Sequence, residues 1–425
     1  MKIHGGIKAS SNGARWVLIT LYYNMFSYVL IYTFGLPRPL LYIGDLLTIW
    51  TFFYAVRIKQ RATVPKTFIC FFLYLFIGLF SGLLNSESPL LLLWGMRNNL
   101  RYILFLYACY VLIRREDLER IFKLLWIVFA VSVPLCTIER FFVDYPAGTI
   151  VGDMVGGVFW NYSGCNLPLN VILCICLTQA TIGYYKNKVS IFKFLVVCIS
   201  ALYMAATAEL KAFILEFAVI IIVAAIFEKI RWNKVIVLVL GAFAFSYIVS
   251  LFVLLNDKPS MDYYAVFSIN GFLEYATRDT GYNGTGDVNR LTGITAISNS
   301  IFDNDLEKIM LGIGIGNAEY TNFFVSDFYT MYSYLNYQWF HMIWTFIEAG
   351  LLGIIFYLSF FICTFIKASK IKKIDMNIST TRIMILIMLF LFVYNISLRV
   401  EPSGYLLYLI LSIPYIYVKE RKEKI

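Results

Sequence analysis

The stretch NYQWFHMIWTFIEAGLLG, residues 336–353, has the composition of the start of a membrane-spanning helix, yet it carries two ionisable side chains. His341 stands at its head, and the only other histidine of the chain is His4. Glu348 follows about two turns later on the same helical face. Ionisable groups are costly inside a bilayer, so those that occur there are candidates for function. These two residues are therefore the first candidates for a functional site.

The composition indicates a polytopic membrane protein. The chain has 425 residues, of which 60% are hydrophobic and 15% charged, and its mean hydropathy is +0.73. The net charge of +10 comes from short Lys and Arg clusters between apolar runs, which favours a topology-setting role over binding to nucleic acid. The eight cysteines lack metal-ligand spacing, and most lie within apolar runs. We therefore predict no disulfide, no metal and no cofactor.

Hydropathy predicts an all-α fold with about twelve transmembrane helices, because a span needs about 20 apolar residues. We expect one transmembrane domain over residues 1–425. The predicted spans are residues 16–34, 40–56, 67–84, 93–113, 121–138, 165–185, 190–207, 210–227, 235–255, 340–366, 382–398 and 404–418.

The basic clusters predict the orientation of these spans. Apart from the N-terminal tail, every cluster follows an even-numbered span, so both termini are expected in the cytoplasm. The connection over residues 256–339, between the ninth and tenth spans, then faces outward. It is far longer than a connector needs to be, and such loops are usually functional or separately folded.

Several Lys and Arg residues lie at the predicted outer ends of spans, although these residue types are expected mainly on the cytoplasmic side. Arg97 and Arg101 are four residues apart on one face of the fourth span. Lys211 lies in the turn between the seventh and eighth spans, and Arg399 follows the eleventh. If these ends converge, they form a cationic pocket suited to a diphosphate. The alternative is that each side chain only extends to anionic lipid headgroups.

The long outer loop carries a second group of candidates. Residues 287–301 place Arg290 on the apolar face of a predicted amphipathic helix. The glycine-rich stretch LGIGIGN, residues 311–317, follows no predicted strand and is interpreted as a tight turn rather than a nucleotide cradle. Asp303 and Asp305 are interpreted as a solvated helix start rather than a cation site.

Several motifs, taken in order, resemble those of the O-antigen polymerase and O-antigen ligase superfamily. They are GVFWNYSGCNLPLNVILCICL (157–177), TAELKAF (207–213), NRLTG (289–293), LGIGIGN (311–317) and FHMIWTFIEAGLLG (340–353). The resemblance covers about residues 155–400, and the first third of the chain is similar only in topology.

The family pattern maps onto this chain residue by residue. Arg290 occupies the arginine position of the outer loop, and Asn161 fits the asparagine before span six. Lys211 departs from the pattern, because many members have a Ser-Arg pair there. The glycine-rich turn of the pattern is represented here by Gly312, Gly314, Gly316 and Asn317. Its last motif, residues 340–353, is represented by His341, Glu348 and Gly350.

The resemblance implies a GT-C-like membrane glycosyltransferase of the bacterial inner membrane. Its substrate would be an oligosaccharide on undecaprenyl diphosphate, polymerised into O-antigen, as in lipopolysaccharide, or into a capsule. His341 would receive the proton of the attacking hydroxyl or orient it. Arg290 would act beside it, and Glu348 would tune the histidine or form a structural hydrogen bond. Arg97, Arg101, Lys211 and Arg399 would bind the diphosphate.

Two alternatives remain open. An O-antigen ligase would transfer the glycan to lipid A core instead of to another repeat unit. A lipid-linked oligosaccharide flippase would need ionisable residues near mid-bilayer along several helices, because it must open to both faces. The expected partners are the lipid-linked substrate, membrane lipid and, as a further candidate, a chain-length regulator protein, with no nucleic acid.

Overall fold

The computed structural model describes residues 12–58, 64–85, 88–228, 286–320, 325–371 and 375–423. Within these ranges the regular structure is helical, apart from one isolated β-bridge between Tyr320 and Val325. The α-helices are α1 (Asn12–Tyr32), α2 (Leu41–Ile58), α3 (Phe68–Leu84), α4 (Pro89–Leu112), α5 (Arg115–Phe142), α6 (Asn166–Tyr185), α7 (Ile191–Thr207), α8 (Lys211–Glu228), α9 (Gly293–Ser300), α10 (Leu306–Leu311), α11 (Asp327–Tyr332), α12 (His341–Ser369), α13 (Met376–Tyr394) and α14 (Glu401–Glu423).

The first eight and the last three predicted spans each coincide with a helix. The ninth predicted span, residues 235–255, lies outside the described residues, as does the first part of the long loop. Five of the described helices are both long and apolar enough to cross a membrane: α2 with the turn before it, α5, α6, α12 and α13. The all-helical fold class is confirmed for the described residues, and these helices indicate a membrane protein.

The outer surfaces of the helices carry large apolar side chains. Leu46 on α2, Phe76 on α3, Phe192 on α7 and Ile226 on α8 are each more than 60% exposed. A water-soluble protein rarely exposes so many, whereas lipid-facing helices do so as a rule. At the centre of the bundle, α6 is buried on almost all sides by its neighbours α5, α7, α8, α13 and α14.

The tenth predicted span is a helix that is broken at Gly350. This residue has φ 62°, which a helix interior does not contain, and the break leaves carbonyls of the preceding turn without intrahelical partners. The glycine-rich turn supplies the missing donors: Ile313 N lies 2.8 Å from Ile347 O, and Gly314 N lies 3.1 Å from Glu348 O. The prediction of a continuous helix over residues 340–366 was therefore wrong at this point.

Gly312 in the glycine-rich turn and Gly350 in α12 are required by close backbone contact. A Cβ on Gly350 would lie 2.3 Å from the backbone of Met310, and one on Gly312 would lie 2.5 Å from Ala349 N. Gly312, Gly314 and Gly316 all have positive φ, so the predicted tight turn is confirmed.

The predicted amphipathic helix of the outer loop is shorter than expected. It begins at Gly293, so Arg290 lies in the turn before α9 rather than on its apolar face. Ile297 is fully buried, as the apolar spacing predicted. The helix start predicted at Asp305 is confirmed, because its side chain accepts a hydrogen bond from Glu307 N at 2.9 Å and caps α10.

Candidate functional site

The predicted diphosphate-binding residue Arg399 is buried between two carboxylates. Its guanidinium forms an ion pair with Glu319 and a second with Glu348, at 3.1 Å from Nη1 to Oε2. The guanidinium also lies over the Trp344 ring, 4.1 Å from its centroid. All three charged side chains are at most 7% exposed. The charge of Arg399 is thus neutralised within the protein, in the connection between α13 and α14.

Glu348 links this arginine to the glycine-rich turn. Its Oε1 accepts a hydrogen bond from Gly316 N at 3.0 Å, while Oε2 faces Arg399. The turn is closed further by Asn317, whose Nδ2 donates to Ile313 O at 3.0 Å. Glu348 thus forms hydrogen bonds that hold the glycine-rich turn, and a role in tuning His341 stays a prediction.

The two arginines of α4 that were predicted to bind diphosphate, Arg97 and Arg101, are also paired with carboxylates. Arg97 forms an ion pair with Asp45 and donates to Asn98 Oδ1 at 2.9 Å. Asn98 in turn donates to Glu319 at 2.8 Å, which connects Arg97 to Arg399. We call this the outer charge network; its members are Asp45, Arg97, Asn98, Glu319, Glu348 and Arg399.

A separate ion pair adjoins the network. Arg101 on α4 pairs with Glu401 at the start of α14, and both are buried. Tyr102 beside it donates to Arg399 O at 2.6 Å. In this described part of the structure three arginines therefore face four carboxylates, so these residues do not create a net positive field in this conformation.

Lys211 lies at another position at the same end of the bundle. It is the first residue of α8, which packs against α6, α7 and α13. The adjoining turn contains Glu209, which forms an ion pair with Arg140 at 3.0 Å.

Arg290 and His341 are brought together by the end of α13. Arg290 Nε donates to Tyr394 O at 2.9 Å, and His341 N donates to the next carbonyl, Asn395 O, at 3.2 Å. The guanidinium of Arg290 also lies 5.1 Å from the ring centroid of Phe340, the residue before His341. Two residues about 50 positions apart in sequence thus contact adjacent peptide units.

The imidazole of His341 is enclosed by aromatic rings. It is 1% exposed, and its ring centroid lies 5.1 Å from those of Tyr357 and Phe392. Tyr337, just before it in the chain, donates to Ala318 O at 2.9 Å. Burial raises the pKa of Tyr337, with further contributions from Glu348 and Glu319, so its phenol remains a donor.

Asn161 takes part in the connection between α5 and α6 through its backbone N–H group. Its N–H donates to Glu139 Oε1 at 3.1 Å, and the N–H groups of Gly156 and Gly157 donate to Oε2 at 3.1 and 2.6 Å. Glu139 is fully buried, so this carboxylate fixes the connection between α5 and α6. Asn161 itself has φ 51°, in the region that asparagine tolerates better than most residues.

Sequence reasoning identified the arginines of this end but missed their partners. Glu139, Glu319 and Glu401 were not candidates, and Asp45 was not recognised as the partner of Arg97. One signal was available: a buried cation is rarely stable without a carboxylate, so each arginine at membrane depth predicts one. In the described part of the chain, no group of three or more His, Cys, Asp or Glu side chains could hold a metal ion.

The comparisons with known proteins identify no relative: no protein-family model, no curated protein and no solved structure matches the chain.

Proposed function

We propose that the protein is a membrane glycosyltransferase that polymerises oligosaccharide repeat units carried on undecaprenyl diphosphate, at the outer face of the bacterial inner membrane. The main support is the placement of Arg290 and His341 on adjacent carbonyls at the end of α13. The order of the motifs gives independent support, since these two residues occupy the arginine and histidine positions of the family pattern.

The chemistry assigned to the two residues follows from their charges. The leaving diphosphate gains negative charge in the transition state, and a guanidinium can hold two of its oxygens at once. The attacking sugar hydroxyl must lose a proton, and a neutral imidazole is a suitable acceptor. A guanidinium and an imidazole held at one helix end can perform both tasks.

The outer charge network has a positioning role in this proposal. Arg399 and Glu348 hold the glycine-rich turn against the break in α12, and this fixes the short helix that begins with His341. A direct role for Arg97, Arg101, Lys211 and Arg399 in binding diphosphate stays a prediction. To bind Arg97, Arg101 or Arg399, a diphosphate would have to displace a carboxylate that is paired with that arginine.

The distribution of buried ionisable groups favours an enzyme over a flippase. Glu348 lies seven residues into α12 and Glu216 five residues into α8, which places them roughly 8–10 Å from the predicted outer ends. Arg382 lies a similar distance from the opposite end of α13. Among the described helices, the buried Arg101 at the middle of α4 is an exception to this placement near helix ends, and it is paired with Glu401 at the start of α14.

The decisive experiment is chain extension by the purified protein in lipid nanodiscs, with lipid-linked repeat units and no energy source. We expect wild-type protein to form polymer, and Arg290→Ala and His341→Ala to form none at unchanged abundance. Arg115→Ala is the matched control, because Arg115 pairs with Glu420 at the opposite end of the bundle. Near-normal polymer from both site variants would contradict the proposal, and substrate movement without bond formation would identify a transporter.

Gel analysis of the polysaccharide from a deletion strain separates the polymerase from the ligase. Loss of a polymerase leaves single-repeat product attached to core, whereas loss of a ligase leaves none attached.

A further inference from the structure

Three buried side chains, two at the head of α12 and one in the connection between α13 and α14, have polar atoms without partners. Both ring nitrogens of His341, the hydroxyl of Thr345 and the hydroxyl of Ser397 are buried, and none has a hydrogen bond within the described structure. The three residues are at most 1% exposed. Buried polar groups are almost always hydrogen-bonded, so a concentration of unsatisfied ones needs an explanation.

Thr345 differs from other threonines in the helices of this protein. A helical threonine ordinarily donates to the carbonyl four residues earlier. Thr181 does so to Leu177 O at 2.8 Å, and Thr364 to Phe360 O at 2.8 Å. Thr345 lies in the regular part of α12 but makes no such bond. Its hydroxyl is therefore available to a group outside its own helix.

The three side chains lie along one strip of the structure. His341 and Thr345 are one turn apart on the same face of α12, and Glu348 continues that face. The segment 395–399 runs beside it: Asn395 O meets His341 N at one end, and Arg399 meets Glu348 at the other. Ser397 is halfway along this segment, so the residue lies opposite the interval between His341 and Glu348, and its hydroxyl is buried.

We propose that His341, Thr345 and Ser397 form a buried subsite that binds one hydroxyl group of the acceptor sugar; this inference rests on the proposed function. A sugar hydroxyl donates one hydrogen bond and accepts two. It can donate to one imidazole nitrogen and accept from the two protein hydroxyls, which would satisfy both hydroxyls and one of the two ring nitrogens of His341. The site contains no charged group of its own, so it suits a neutral ligand.

The subsite also defines which bonds form and break in the transfer reaction. The acceptor oxygen bonds to the anomeric carbon of the donor, and the bond from that carbon to the diphosphate oxygen breaks. The proton of the hydroxyl passes to His341, and the bonding electron pair leaves with the diphosphate. Thr345 and Ser397 hold the hydroxyl with its proton towards the imidazole; for the attack, one of the two releases its hydrogen bond and frees a lone pair for the anomeric carbon.

The test compares Thr345→Val, which removes the hydroxyl at nearly constant volume, with the same change at Thr181. Chain extension by Thr345→Val should fall roughly tenfold or more, because the acceptor hydroxyl loses a partner in a buried site. Thr181→Val should extend chains at the wild-type rate, and Thr345→Ser, which keeps a hydroxyl, should recover most of the activity. Ser397→Ala should resemble Thr345→Val.

Thermal unfolding of the same detergent-solubilised proteins excludes a merely structural role. Thr345→Val removes an unsatisfied buried group, so its Tm should equal or exceed that of wild type, whereas Thr181→Val should unfold at a lower temperature.

The outcomes separate the two proposals. If wild-type protein forms no polymer, the proposed function fails, whatever Thr345 does. If wild type forms polymer and Thr345→Val matches Thr181→Val in rate, the subsite holds no more than a water molecule and the inference is overturned. A lowered Tm for Thr345→Val without rescue by serine would overturn it as well.

Discussion

Replacement of Arg399 by methionine should destabilise the protein more than any other change in the outer charge network. The substitution keeps an unbranched apolar stem but removes a guanidinium that pairs with both Glu319 and Glu348. Both carboxylates are at most 5% exposed, so they cannot recover their lost interactions from water. Removing one partner of a buried ion pair costs about 3–5 kcal/mol, and here two like charges are left together. We expect the free energy of unfolding to fall by at least about 3 kcal/mol.

The assay is reversible unfolding in mixed detergent micelles, followed by tryptophan fluorescence. Arg115→Met is the control, because Arg115 is partly exposed in its pair with Glu420 and such pairs contribute about 0–1 kcal/mol. The triple variant Arg399→Met, Glu319→Gln, Glu348→Gln should regain part of the loss, since it leaves no unpaired charge. The reasoning would be refuted if Arg399→Met cost no more than Arg115→Met, or if the triple variant were the least stable of the set.

Three further predictions follow from particular residues. Gly350→Ala should lower the free energy of unfolding by more than about 2 kcal/mol, because alanine is strained at this positive φ and its Cβ would overlap the backbone of Met310. Gly35→Ala is the control: its φ is similar but the space around it is open, so the loss should be only about 1 kcal/mol. Equal losses would argue against the overlap. Glu139→Gln should lower the free energy of unfolding by about 1–3 kcal/mol, because the glutamine NH2 group would face backbone N–H groups that need an acceptor. An unchanged free energy of unfolding would show that Glu139 does not fix this connection. In intact cells, Gly148→Cys should react with a membrane-impermeant thiol reagent and Lys188→Cys should not; the reverse pattern would invert the predicted orientation.

The helices were predictable because insertion into a bilayer depends on local composition. Each predicted span that lies within the described residues is a helix, since backbone polar groups within a bilayer must be satisfied inside the segment. The boundaries of α3 and α7 accordingly lie within a residue or two of the hydropathy estimate. The break at Gly350 was not predictable in the same way, because it depends on a separate loop that supplies the missing hydrogen bonds.

The candidate site was only partly predictable from the sequence. Arg290 and His341 were candidates because they depart from the expected charge and hydropathy of their segments, and the resemblance to the family pattern predicted that they act together. The partners of the other arginines were missed, because pairing is a matter of distance in space: Arg101 and Glu401 are 300 residues apart in the chain. No spacing rule connects residues so far apart.

By itself, the sequence determined that the chain forms apolar helices, where most of them begin and end, and which ionisable residues lie within the apolar runs or at their ends. Only the tertiary structure decided that three of these arginines are neutralised by carboxylates, while Arg290 and His341 meet at the end of α13. The physical reason is that hydropathy acts locally along the chain, whereas ion pairs and hydrogen bonds act over a few ångströms between helices that the fold has brought together.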